Sequence, residues 1–189
     1  MFRLFFTVKA LWLHWRELKE YPKNLSLQTK TIFDCNLSAI KQSGIKVLVL
    51  DYDNVLAGHA VNILDEKVIS FLNKSMAIFG SDHVFILSNR PTEVRYRYFE
   101  KTHPGLRFVS GFRKKPYPDS LLWIMKETKV SAEEVLVVDD RLFTGILAAI
   151  LVGSRALWVT SPMVRLDKHP ILETIYIVLR YLELGLLKL

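Results

Sequence analysis

Cysteine is nearly missing. Cys35 stands alone among 189 residues, so no internal disulfide can form and a reducing, cytosolic setting is expected. Acidic residues are in deficit, with 19 Asp and Glu against 26 Lys and Arg and a formal charge of +7. That balance points to anionic partners (phosphates, nucleic acid or an anionic membrane) without choosing among them. No internal repeat or low-complexity segment stands out, and the length suits one domain. Apolar runs long enough to span a bilayer are also lacking. The most apolar end, Met1 to Arg16, is interrupted by Arg3, Lys9 and His14, which makes it a poor span. It has no clean apolar stretch with a small-residue cleavage site, which argues against a signal peptide. No basic–aromatic interleaving of a recognised nucleic-acid module is found, so no nucleic-acid partner is expected.

Half of the residues are hydrophobic, enough for a sizeable core. The run Val47-Leu48-Val49-Leu50 is too short for a helix and rich in Val, and it stops abruptly at Asp51-Tyr52-Asp53-Asn54. It reads as a strand buried on both faces, as in the middle of a parallel sheet. Asp51 then sits at the carboxyl end, where open α/β sheets keep their ligands. Asp53 follows in the turn. Two carboxylates this close can share a divalent cation and divide nucleophile and acid roles. Taken alone, the spacing is equally served by a solvated turn after a strand.

Further segments alternate in kind. Residues 23–35 read as a loop leading into a short element, and Leu37 to Ser43 as a short helix ended by Gly44. Residues 65–79 predict a helix with Val68, Phe71, Leu72 and Ser75 on one face. His83 to Leu87 is a second buried strand, ending in Ser88-Asn89-Arg90-Pro91. Thr92 to Lys101 is helical, Leu106 to Val109 a short strand and Pro118 to Thr128 a helix. Val135 to Val138 is another buried strand, ending in Asp139-Asp140, and a helix runs from Leu142 to Val152 with Gly153 as its cap. Ala156 to Val159 is the last strand, and Pro170 starts a helix to Leu184. Alternating strands and helices imply right-handed crossovers and an α/β, three-layer, Rossmann-like parallel sheet. Its carboxyl edge gathers Asp51, Asp53, Ser88, Asn89, Asp139 and Asp140 around one crevice.

These carboxylates alone would repel a phosphate. They become useful if they hold Mg2+, which prefers oxygen ligands and bridges to substrate phosphate. Asp51 could then attack phosphorus, and Asp53 could protonate the leaving alcohol and later activate water. Ser88 and Asn89 could bond the phosphoryl oxygens. A lysine of the basic stretch Arg113-Lys114-Lys115-Pro116 could offset the developing charge.

At this point DYDNVL, LSNR, KKP and VVDD, in that order, resemble motifs one to four of the haloacid dehalogenase superfamily of phosphatases, over about residues 44–160. Asn54 in motif one resembles subclass IIIA, and VVDDRLFTGILAA is similar to the YqeG-type, phosphatidylglycerophosphate phosphatase-like branch. The resemblance implies an aspartyl-phosphate intermediate, with Asp51 as nucleophile, Asp53 as acid/base, Ser88 as phosphate ligand and Lys115 as the motif-three lysine. It implies Mg2+ on Asp51, the Asp53 carbonyl and Asp140, with Asp139 beside them. The implied substrate is a phosphorylated lipid headgroup, phosphatidylglycerophosphate first. A phosphoprotein or other macromolecule, and a degenerate member that binds without turnover, are the alternatives.

One departure stands out. That branch usually reads Gly-Asp-Gln and then Thr-Asp, whereas this chain has Asp139-Asp140-Arg141 and then Thr144-Gly145. Arg141 near the metal is unaccounted for. Only 34 residues lie between Asn54 and Asn89 and 25 between Asn89 and Lys115, all needed for core elements, so no cap domain fits. An uncapped site suits a phosphate presented on something large. Residues 1–22 are expected as an amphipathic helix, 23–165 as the capless catalytic domain, and 166–189 as a helix on the core or at a membrane surface. On a helical wheel Leu4, Phe5, Val8, Leu11, Trp12, Trp15 and Leu18 share one arc, while Phe2, Phe6 and Leu13 fall elsewhere. That helix either docks on the core or lies in an anionic membrane interface, making the protein peripheral on the inner face of the membrane. Lys114 is expected to be solvated, His59 an exposed loop residue, Trp123 and Trp158 core, and His83 chemically silent.

Overall fold

Four consecutive aliphatic residues need cover on both sides of a strand. In the computed structural model, which describes residues 3–188, they form β2 (Val47–Asp51), buried throughout. Val47 and Val49 enter one core, Leu48 and Leu50 the other, as the two-residue period of a strand requires. Around it lie β1 (Gln28–Thr29), β3 (Val84–Leu87), β4 (Arg107–Val109), β5 (Val135–Asp139) and β6 (Arg155–Val159). Among the described residues these make one parallel sheet in the order β1-β6-β5-β2-β3-β4. β1 was expected as loop. It is two residues long, pairing Gln28 with Trp158 and Thr29 with Val159, too short to carry a periodic signal.

The helices are α1 (Arg3–Leu13), α2 (Trp15–Glu20), α3 (Leu37–Gln42), α4 (Glu66–Phe79), α5 (Glu93–Thr102), α6 (Asp119–Thr128), α7 (Leu147–Val152) and α8 (Pro170–Lys188). Leu37, Val68, Phe71, Leu72 and Phe99 from α3, α4 and α5 cover one face of the sheet. Ala10, Leu18, Leu121, Ile124 and Leu147 from α1, α2, α6 and α7 cover the other. Each fully buried aliphatic or aromatic side chain contributes about 1.5–3 kcal/mol. α4 buries the residues its spacing predicts, Val68, Phe71, Leu72 and Ser75. α5 begins at Thr92, whose hydroxyl accepts a hydrogen bond from the Arg95 backbone N–H.

Strand order fixes where chemistry can sit. From β2 the chain moves outward through β3 and β4, then returns to lay β5 on the other side of β2. The crevice beyond the carboxyl ends of β2 and β5 is the topological switch point. Asp51 ends one of these neighbouring strands and Asp139 the other.

The N-terminal arc divides. The helix breaks at His14, and its apolar residues serve two surfaces. Phe6 stacks on Tyr117 at 4.3 Å, Trp15 packs on Phe143, and Ala10 and Leu18 are buried. Leu4, Phe5, Val8 and Trp12 remain exposed, Trp12 at 77 %. Leu11, Trp15 and Leu18 face the core, so they do not share an environment with the exposed rest of the predicted arc. Phe2, like Met1 and Leu189, lies outside the described residues. α8 runs four residues beyond its expected end at Leu184 and buries Glu173, Glu183 and Leu187. Among the described residues no helix is long and apolar enough to cross a membrane.

Candidate active site

At the switch point the Lys115 ammonium donates to Asp51 Oδ1 and Asp139 Oδ2, both at 2.5 Å, and to the Leu87 carbonyl at 3.2 Å. All three side chains are buried. Burial alone would push the Lys115 ammonium down, but Asp139 and Asp51 outweigh it and push it up. Burial pushes the Asp51 carboxyl well above its usual range, and Lys115 opposes that only in part. Lys114 is exposed at the cavity rim, as expected.

Asp53 lies one step beyond the strand. Arg95 of α5 grips both its oxygens, Nη2 to Oδ1 at 2.8 Å and Nη1 to Oδ2 at 3.2 Å, while Ser88 donates its hydroxyl to Oδ2 at 3.0 Å. Arg95 also lies 3.9 Å above the Tyr52 ring, a desolvated cation–π contact. Asn89 accepts from the Lys115 backbone N–H at 2.7 Å, tying the basic loop to the end of β3. Asp51, Asp53, Asn89, Lys115 and Asp140 line one cavity of about 310 Å3. Ser88 and Asp139 stand immediately behind it, reached through Asp53 and Lys115.

The unusual fourth motif has a geometric explanation. A Cβ placed on Gly145 would lie 1.7 Å from Asp139 Oδ2. The Asp139 carboxylate occupies the volume that any side chain at position 145 would need. There it accepts from Lys115 through Oδ2 and from the Arg141 backbone N–H through Oδ1 at 2.9 Å. The carboxylate missing at 145 is thus replaced in space by the extra one at 139.

Arg141 is accounted for by a residue that sequence reasoning missed. Its guanidinium pairs with Glu183 of α8 at 2.5 Å, and the other Glu183 oxygen accepts from the Leu142 backbone N–H at 3.1 Å. The pair closes the start of a π-helical turn, Leu142–Ile146, where an α-helix was expected. Arg180, also on α8, donates to Asp140 Oδ2 at 2.6 Å and faces the Asn54 amide. Glu173 accepts from the His59 and Arg165 backbone N–H groups at 2.9 and 3.1 Å. His59 is buried, not an exposed loop residue: it bonds Asn54 Oδ1 at 2.9 Å and stacks against Tyr176 at 3.8 Å. Burial lowers its pKa to about 4, so it is neutral at pH 7. Tyr176 and Leu179 line the cavity. The C-terminal helix therefore walls a site that carries no cap domain. Its charged residues look like an ordinary solvated helix face in the sequence, and no local signal separates them.

Asp51, Asp139 and Asp140 offer carboxylate oxygens within 4.8 Å of one another, and all three residues are buried. Oxygen donors alone suit a hard divalent cation. Burial pushes the Asp140 carboxyl up to about 7 despite Arg180. Three carboxylates here are bonded to two cations, Lys115 and Arg180, an excess of acidic groups that fits a bound cation. Asp139 has both oxygens engaged, so Asp51 and Asp140 are the members best free to coordinate.

Comparison with known proteins gives a consistent picture. A family model described as mitochondrial PGP phosphatase matches residues 19–164. No curated protein matches the sequence. Among solved structures, an uncharacterized protein from Listeria monocytogenes serotype 4b aligns with TM-score 0.51 at 16% identity, over 64% of this chain and 83% of that one, and shares the fold. The cobalt-bound deoxy-D-mannose-octulosonate 8-phosphate phosphatase from Haemophilus influenzae aligns at TM-score 0.47 and 19% identity, over 67% and 84%. A haloacid dehalogenase family enzyme from Bacteroides thetaiotaomicron, complexed with magnesium and inorganic phosphate, aligns at 0.40 and 13%, over 61% and 94%.

Proposed function

The chain belongs to the PGP phosphatase family, within the haloacid dehalogenase phosphatases, and from that premise we propose a Mg2+-dependent phosphomonoesterase of a phosphorylated lipid headgroup, phosphatidylglycerophosphate first. The observation that carries the reading is Asp51 at the switch point, bonded to Lys115 inside a cavity with Asp53 and Asp140. Lys115 holds one Asp51 oxygen and leaves the other for bond formation. That oxygen forms the new P–O bond, the P–O bond to the alcohol breaks, and Asp53 supplies the proton the alcohol needs. Asp53 then takes a proton from water as the water attacks phosphorus, releasing phosphate and regenerating Asp51. Arg95 and Ser88 bond the ionised Asp53 carboxylate between the steps; Asp53 carries the proton into the first step and regains one in the second. Asn89 orients the Lys115 backbone. Mg2+, when bound by Asp51, Asp140 and the Asp53 carbonyl, would neutralise charge on the transferring phosphoryl group.

A non-catalytic reading draws on Gly145, and the Asp139 carboxylate in that space supports the catalytic one. The mechanism is tested by trapping. With Mg2+ and beryllium fluoride, adduct density is expected on Asp51. Asp51→Asn should lower kcat by at least about 10³-fold, on the scale of losing a nucleophile, with the melting curve preserved. Density on Asp53 would reverse the two roles.

A further inference from the structure

The catalytic cavity does not end at its charged wall. Arg3, Arg141, Thr144 and Leu179 line it and also line a second, open trough of about 680 Å3 between α1 and α8. The chemistry changes across that boundary. Beyond it the lining is Leu4, Thr7, Pro116, Phe143, Leu182 and Leu186, with the Thr7 hydroxyl engaged by the Arg3 carbonyl and the Glu183 carboxylate by Arg141. Leu182 and Leu186 are 56 % and 47 % exposed. A single exposed leucine has no meaning, but an apolar trough continuous with a catalytic cavity is a binding feature.

We infer that this trough seats an acyl chain of an amphiphilic phosphomonoester whose phosphate lies at Asp51. The inference rests on the phosphatase reading of the cavity and specifies what the rest of the substrate touches. Continuity through four shared residues allows one molecule to occupy both hollows. At the junction stand two guanidinium groups. Arg3 donates to the Lys115 carbonyl at 3.0 Å instead of to a carboxylate, so its charge is available to an anionic linker between head and tail. Arg141 stands beside it with its charge already met by Glu183, so the junction's positive charge comes from Arg3. An anion-binding pocket, a cationic junction and an apolar limb, in that order, match a phospholipid from its terminal phosphate inward. A nucleic-acid end has no alkyl limb, and a phosphopeptide offers apolar groups only as short side chains.

The test uses alkyl phosphates from butyl to decyl, each below its micelle concentration, with the full-length protein and binding read by calorimetry. Affinity should rise along the series by up to about fourfold per methylene that reaches the trough, the equivalent of about 0.8 kcal/mol per buried CH2. Leu182→Glu and Leu186→Glu should flatten that slope. Ile171→Glu, at an exposed position of the same helix away from the trough, should keep it. Butyl phosphate binding with no chain-length slope overturns the acyl seat and leaves the phosphate site standing. A slope that survives Leu182→Glu and Leu186→Glu overturns it as well. If neither inorganic phosphate nor any alkyl phosphate binds, the phosphatase reading fails and the seat falls with it.

Discussion

Asp140 shows how burial sets chemistry one residue at a time. Its carboxyl is raised to about 7 in the folded chain, against about 3.9 when unfolded. A raised carboxyl favours folding at low pH, and that benefit is lost as pH rises from about 4 through about 7. A divalent cation takes only the ionised form, so it acts in the opposite sense. Mg2+ should therefore raise the melting temperature more at pH 8 than at pH 6, and Asp140→Asn should remove most of that difference. Equal shifts at both pH values would exclude Asp140 as a ligand. The sequence brings Asp51, Asp53 and Asp140 to one edge because each follows the end of an apolar run, and Lys115 joins them only through the motif resemblance; the structure gathers all four around one cavity. His59 was misread. A histidine after glycine in a loop looks solvated, and only Tyr176 and Glu173, more than a hundred residues away, bury it. Arg180, Glu183 and Tyr176 were not legible at all, because an amphipathic helix does not declare which of its charged residues meets a partner.

At the scale of elements, long buried strands announced themselves and short or bent ones did not. β2, β3 and β5 carry unbroken apolar runs, whereas β1 is two residues long and pairs with β6. The break at His14 and the π-helical turn after β5 carry no signal in the sequence; Glu183 bonds the Leu142 N–H at the start of that turn. That turn couples the end of β5 to the start of α7 through Asp139 and Gly145. Asp139→Gly leaves the buried Lys115 with one carboxylate fewer. Breaking a buried pair costs about 3–5 kcal/mol. Gly145→Asp alone forces two carboxylates into one volume. Each single change should lower kcat at least tenfold and reduce the melting temperature. The double variant Asp139→Gly/Gly145→Asp restores one carboxylate to that volume and should recover most of both losses. A double variant no better than the worse single would show that Asp139 does not fill the space for this purpose.

The whole molecule presents its active-site cleft beside apolar surface. Leu4 of α1 and Leu182 and Leu186 of α8 line the trough and are exposed, and Phe5, Val8 and Trp12 are further exposed apolar residues of α1. The chain carries a formal charge of +7, and each Lys or Arg near an anionic bilayer contributes about 1 kcal/mol. Among the described residues no helix is long and apolar enough to cross a membrane. The parallel sheet, its layers and its polar edge were readable from alternation and strand ends. The wall that α8 builds around the site was not, since it depends on how the chain returns after β6. The central claim is that the substrate is a phosphate presented on a lipid. Its most direct test is kcat/KM with Mg2+ on phosphatidylglycerophosphate in phosphatidylglycerol vesicles, beside a phosphopeptide and a soluble phosphomonoester. Lipid should be preferred over both by at least about 100-fold, a difference of about 2.7 kcal/mol. Trp12→Glu with Phe5→Glu should erode only the lipid rate, as should high salt. Turnover of the phosphopeptide that equals or exceeds that of the lipid contradicts the account.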